Sequence, residues 1–392
     1  MPKMLSIAQI TPSFFPFIGG IESYVFEISK ELVARGHEVH VFAPEKVMNT
    51  KCGDKEEKIC GIRIHRLPVW FELTYRAKWW PIFRKIVDSG FRFDIVNIQC
   101  HDHPHSLIAT TAAKTRNMPV AITTYGPIAT QSDYSNITTF FLNAYDHFVS
   151  RAIFRMADRV LIKFPTLRKW IKSHGISEEK ISVAPSGIPK ECLLPRTGES
   201  FRQNFDGKKV ILYVGRISPQ KGVQYLVEAM PKVINEVPEA ILTIIGPDYI
   251  GFKKSLIRQV HRLRIDEKVV FMNPIFNLER EMEAYAGCDV FVMPSSFEGF
   301  SQSVHKAWTQ KKRVVARDVG FLSTQIESWQ NGILVEYGNA QAIADSIASI
   351  LENSKMSRKM GMKGYRKAQN YTFDVLAKSL EKIFFSMGVE KA

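Results

Sequence analysis

The chain has 392 residues, 45% of them hydrophobic and 23% charged, with a formal net charge of +14. That length exceeds one ordinary core and predicts about two domains of under ~200 residues each, while the composition excludes a disordered chain and no apolar run approaches the roughly 20 residues needed to cross a bilayer. Five cysteines, scattered and never in Cys-x-x-Cys spacing, disfavour a disulfide framework and a zinc site, and the excess of cations suits an anionic partner: nucleic acid, an anionic membrane surface or phosphorylated small molecules.

In chain order, "LSIAQITP" predicts a first buried strand. The N-terminus breaks at Thr11 and Pro12 and shows no small-residue cleavage site, so a cytoplasmic chain is expected. Gly19 and Gly20 open a helix whose buried stripe is Tyr24, Val25, Ile28 and Leu32. Paired glycines there let backbone N–H groups approach a phosphate or sugar, although a tight strand-to-helix turn explains them equally. Strands follow at "EVHVFAP" and "IRIHRLP". The stretch "YRAKWWPIFRKIVDSGFRF", residues 75–93, predicts an amphipathic helix. It faces either the core or an anionic membrane through Trp79, Trp80, Arg84 and Lys85.

After the strand "FDIVNIQ" come His101, His103 and His105 at alternate positions. Three imidazoles so spaced converge on a metal only in extended structure, so cleft or surface histidines are expected and no metal. "PVAITTYG", "DRVLIKF" and "ISVAPSG" complete a first set of strands. Residues 186–209, rich in Pro, Gly and charge, form the linker candidate. "KVILYVGR", "AILTIIGP", "KVVFMNP", "DVFVMPS", "RVVARDVG" and "GILVEYG" repeat the strand–helix alternation of parallel βαβ sheets.

Two later loops carry chemistry. In "YVGRISPQKGVQYLVEAM" a strand ends at Gly215, and Arg216 and Lys221 precede a helix N-terminus, an arrangement suited to a diphosphate. In "SSFEGFSQSVHKAW" the N–H groups of Phe300 and Ser301 face the same kind of site. There Glu298, before Gly299, either accepts hydrogen bonds from sugar hydroxyls or caps the helix. The closing segment 372–392 predicts an amphipathic helix with Val375, Leu376, Leu380, Ile383 and Phe384 on one side, packed on the first domain. The expected architecture is α/β: two doubly wound, Rossmann-like domains. One comprises residues 1–187 plus 372–392; the other, residues 188–371, carries both phosphate-suited loops. No nucleic-acid-binding signature is present.

With these motifs the chain resembles retaining glycosyltransferase family 4, nearly end to end. The most discriminating pieces are the Gly-Arg-x4-Lys-Gly loop and the Glu-Gly-Phe turn. The resemblance implies the GT-B fold, two Rossmann-like domains facing a cleft, the first on the acceptor side with His101 and His103 and the second binding the nucleotide sugar. It also implies transfer of a sugar from a nucleoside-diphosphate donor with retention and no metal or other cofactor, by front-side displacement without a protein nucleophile. Arg216 and Lys221 would neutralise the departing diphosphate, Glu298 would hold hydroxyls of the sugar, and Gly19, Gly20, Gly215, Gly299, Phe300 and Ser301 would line the donor. Departures occur at Tyr125 in "TTYGP", where the family carries a histidine, and at Lys306, where it carries a glutamate for the ribose. Ser186 replaces an asparagine at the domain junction. The function expected is a glycosyltransferase acting on a lipid-linked or glycan acceptor from the inner membrane face. The alternative is a catalytically weak or inactive sugar-nucleotide-binding homologue acting as a partner subunit.

Overall fold

The computed structural model describes residues 4–16, 19–47, 50–72, 78–79, 81–87, 90–128 and 136–388. It divides into two units, Met1–Gly187 with Phe373–Ala392, and Ile188–Thr372.

The first unit is built on an eight-stranded sheet. Its strands are β1 (Ser6–Ile10), β2 (Glu38–Pro44), β3 (Glu56–Ile59), β4 (Ile62–Leu67), β5 (Ile95–Gln99), β6 (Val120–Thr124), β7 (Arg159–Ile162) and β8 (Ile181–Val183). The order is β8-β7-β6-β5-β1-β2-β4-β3, parallel except for β3, which runs antiparallel to β4 at the edge. Register is direct: Ile7 lies opposite Val39 on one side and Ile95 on the other. β5 and β6 are buried throughout, which explains their near-continuous apolar runs. Their polar members satisfy one another: Asn97 and Gln99 both donate to Gln9 Oε1, at 2.9 and 3.0 Å, and Thr123 donates to Asn97 at 3.0 Å. The order reverses direction between β1 and β5, a switch point from which loops diverge to form a crevice. Helix α1 (Gly20–Ala34) follows β1, and α3 (Pro104–Thr115) follows β5 after the short α2 (Ile82–Val87).

The second unit holds a six-stranded parallel sheet of β9 (Lys209–Val214), β10 (Ala240–Ile245), β11 (Val269–Met272), β12 (Val290–Met293), β13 (Arg313–Arg317) and β14 (Ile333–Val335). Its order is β11-β10-β9-β12-β13-β14, and the reversal falls between β9 and β12. Helices α4 (Val223–Glu236), α5 (Leu278–Gly287) and α6 (Gln302–Thr309) follow β9, β11 and β12.

Three expectations change. Segment 75–93 is not one helix: among its described residues only α2 is helical, with Ile82 and Ile86 buried, and Lys78–Trp79 pairs antiparallel with Phe71–Glu72. Pro81 separates the two pieces because its ring suits the start of a helix and breaks a ladder. Trp80 lies outside the described residues. The linker is brief, since Ile188, Cys192, Phe201 and Phe205 are already in the second core. The terminal helix Phe373–Phe385 buries Leu376, Leu380 and Phe384 in the first core, but Val375 is exposed.

Candidate functional site

The switch point of the second sheet brings together the two loops carrying charge. Gly215 directly follows β9, its N–H bonding Ile245 O at 3.0 Å, and Tyr213 Oη donates to Arg216 O at 2.7 Å. These bonds turn the chain outward and leave Arg216 exposed. A single 3-10 turn, Pro219–Lys221, then leads to Gly222 in the left-handed region (φ 69°) and into α4. From the loop after β12, Ser296 N donates to Gln220 O at 2.7 Å. Lys221 Nζ meets Glu298 Oε1 at 2.6 Å, with the two side chains 18% and 9% exposed. Two residues singled out separately in the sequence are thus one ion pair. Arg317 closes the third side by donating to Ser296 O.

Glu298 is not the cap of α6. Ser301 is: its side chain accepts from Val304 N at 3.4 Å. Capping therefore falls to a residue three places later, and the Glu298 carboxylate is left to Lys221. Phe300 stacks on His305 at 4.1 Å between centroids. His305 is fully buried, which pushes its imidazole down to about 4 and keeps it neutral. Lys306 points to neither solvent nor Glu298. Its Nζ pairs with Glu281 Oε2 on α5 at 2.7 Å. Glu281 has no sequence signal linking it to Lys306; only the packing of α5 beside α6 does.

In the first unit, Gly20 has open space around it, whereas Gly19 lies against Glu22, whose carboxylate also accepts from Ser13 Oγ. An acid from the first turn thus already stands at the N-terminus of α1. Tyr125 donates to Gln99 Oε1 at 3.1 Å, and burial raises its phenol well above the ordinary value. Its ring centroid lies 5.0 Å from Lys163 Nζ, which sits 3.1 Å over the ring of Tyr24. Lys163 is buried to 1% exposure, and its amine is pushed well below the usual lysine range by that burial. Lys163 was not singled out from the sequence, although a charged residue closing the apolar run "DRVLIKF" is a signal that could have found it.

His101 bonds Thr124 Oγ1 at 2.9 Å and lies 3.5 Å from Asp146, while His105 Nε2 reaches Gln99 O at 3.3 Å. His103 turns elsewhere, toward Cys100 and Asp102. Arg84 is exposed, and Lys85 reaches Glu56 at 3.1 Å.

Two family models match in tandem: Glycosyltransferase Family 4 over residues 18–191 and Glycosyl transferases group 1 over residues 196–367. The chain belongs to the family 4-like glycosyltransferases of the GT-B fold. This glycosyltransferase is 23% identical to an uncharacterized glycosyltransferase of Methanocaldococcus jannaschii over 96% of this chain and 97% of that one. It is 25% identical to the GPI3 subunit of the yeast phosphatidylinositol N-acetylglucosaminyltransferase over 80% of this chain and 68% of the other. Among solved structures, Anabaena HepE in complex with UDP superposes with a TM-score of 0.79 at 18% identity, covering 97% of this chain and all of HepE. WaaG, a glycosyltransferase of lipopolysaccharide biosynthesis, superposes with a TM-score of 0.68 at 16% identity, over 96% and 99% of the two chains.

Proposed function

We propose that this glycosyltransferase moves a sugar from a nucleoside-diphosphate donor to a lipid-linked or glycan acceptor, with retention at the anomeric carbon and no metal in the transfer step, at the inner face of a membrane. The observation that carries this reading is the Lys221–Glu298 pair at the switch point of the second sheet, with Arg216 exposed beside it. Negative charge grows on the diphosphate as the bond from the anomeric carbon to the phosphate oxygen lengthens. Arg216 and Lys221 stabilise that charge where it develops. Glu298, held by Lys221, accepts hydrogen bonds from hydroxyls of the sugar. The acceptor oxygen bonds the anomeric carbon on the face the phosphate leaves, and its proton passes to a departing phosphate oxygen. The binding of UDP by HepE supports a nucleotide donor, and the yeast enzyme's name supports a lipid acceptor. Gly20 and Tyr125 would bind the donor, and Trp79 with Arg84 would make a membrane contact.

Lys221→Ala should weaken nucleoside-diphosphate binding by about 1.5–3 kcal/mol, measured by calorimetric titration; unchanged affinity removes Lys221 from the site. A second reading, a weakly active or inactive partner subunit, rests on Tyr125 in the histidine position and on Lys306 already engaged by Glu281. Donor turnover with a lipid extract separates the two: nucleotide bound but never consumed favours the second.

A further inference from the structure

We propose that Cys100, Asp102 and His103 form a binding site for a thiophilic divalent metal ion of the zinc class, at the switch point of the first sheet.

The loop that leaves β5 makes the set. Cys100 takes a left-handed backbone (φ 66°), and its N–H bonds Thr123 O at 2.9 Å while its carbonyl accepts from Ser106 Oγ. Three residues on, His103 is the extended N-cap residue of α3. The reversal folds a thiol, a carboxylate and an imidazole onto one point, their ligand atoms all within 4.8 Å of one another. Bonds of about 2.0–2.3 Å at tetrahedral angles put such ligands roughly 3.3–3.7 Å apart. Closing the remaining ångström requires side-chain rotation, not a new backbone path.

The donor set selects the ion. Thiolate and imidazole favour zinc over magnesium or calcium, which take oxygen. One thiolate and one carboxylate neutralise a divalent ion, the condition under which charge is tolerated in a buried place; Cys100 and His103 are buried. The N-terminal end of α3 opposes a cation but favours the thiolate that would ligate it. His101 and His105 are excluded, because Thr124 and the Gln99 carbonyl hold their rings. The alternating histidines of the sequence thus yield one ligand, joined by residues whose role the spacing did not show. Three protein ligands leave a fourth position to water. The ion takes no part in the sugar transfer; it fixes the loop beside Tyr125.

The test titrates chelator-stripped, tag-free full-length protein with Co2+ in the absence of nucleotide. One Co2+ per chain is expected, with an intense ultraviolet thiolate-to-cobalt band and visible bands of a tetrahedral ion, displaced by Zn2+. Cys100→Ser should lose the ultraviolet band, and Asp102→Asn and His103→Asn should each bind at least about tenfold more weakly. No band in the unaltered protein, a band that persists in Cys100→Ser, or undiminished affinity in Asp102→Asn overturns the site. Asp102 is only half-buried, so its variant carries the test if Cys100→Ser does not fold. Nucleoside-diphosphate affinity measured on Cys100→Ser and Asp102→Asn should not change, which keeps this outcome separate from that of Lys221.

Discussion

Lys306 and Glu281 show what one residue can and cannot disclose. A lysine in place of an acid was visible in the sequence, but its partner stands 25 positions earlier on another helix. No local pattern connects them. The two side chains are only 13% and 15% exposed, so neither charge is well solvated and each depends on the other. Lys306→Glu therefore sets two carboxylates where a 2.7 Å pair stood, and should cost about 1–3 kcal/mol in urea denaturation. The exchanged variant Glu281→Lys/Lys306→Glu should recover most of it. Equal losses in the single and the exchanged variants would show that packing, not charge, governs the position. Nucleotide affinity read on the exchanged variant then reports whether an acid on α6 alters the ribose site, free of the repulsion that clouds Lys306→Glu alone.

At the scale of elements, the loops after β9, β12 and β13 are held together by close backbone approaches. A Cβ on Gly222 would meet Pro294 O at 2.1 Å, and one on Gly320 would meet Glu298 O at 2.0 Å, both at positive φ. Neither carbonyl can swing aside as a flexible side chain would. Gly222→Ala combines left-handed strain of about 1–2 kcal/mol with that collision, so it should destabilise by more than about 2 kcal/mol and weaken nucleoside-diphosphate binding by displacing Lys221 from Glu298. Thermal melts with and without nucleotide measure both; normal affinity would mean the loop keeps its shape without the glycine. The parallel strands were legible because burial on both faces writes an apolar run, as in "AILTII". β3 was not, since "EEKI" at the sheet edge is half exposed and pairs only through a tight turn at Cys60 and Gly61, both at positive φ. Segment 75–93 misled because aromatic and basic residues alternate in a way that suits a hairpin as well as a helix. The glycine loops were legible as loops; that Lys221 and Glu298 touch each other was not, because it depends on β12 lying next to β9.

For the whole molecule, the path of the chain matters: it leaves the first core near Gly187, builds the second, and returns at Phe373. The returning helix completes the first core. Phe373, Leu376, Leu380 and Phe384 join Tyr24, Ile28 and Leu32 there, and Glu381 accepts from Arg35 Nε and bonds His37, each at 3.0 Å. The first unit is thus assembled from residues more than 300 positions apart, a non-local closure whose entropy cost the buried apolar face must offset. Leu380 is 2% exposed, so Leu380→Ala should cost about 2–5 kcal/mol. That loss should fall on one unit. Hydrogen exchange should show protection reduced in α1, β1 and β2, while β9 to β14 keep theirs and nucleoside-diphosphate affinity is unchanged, because the donor loops rest on a core this helix does not enter. An equal loss of protection across residues 188–372 would show instead that the second core is stable only while the first is folded.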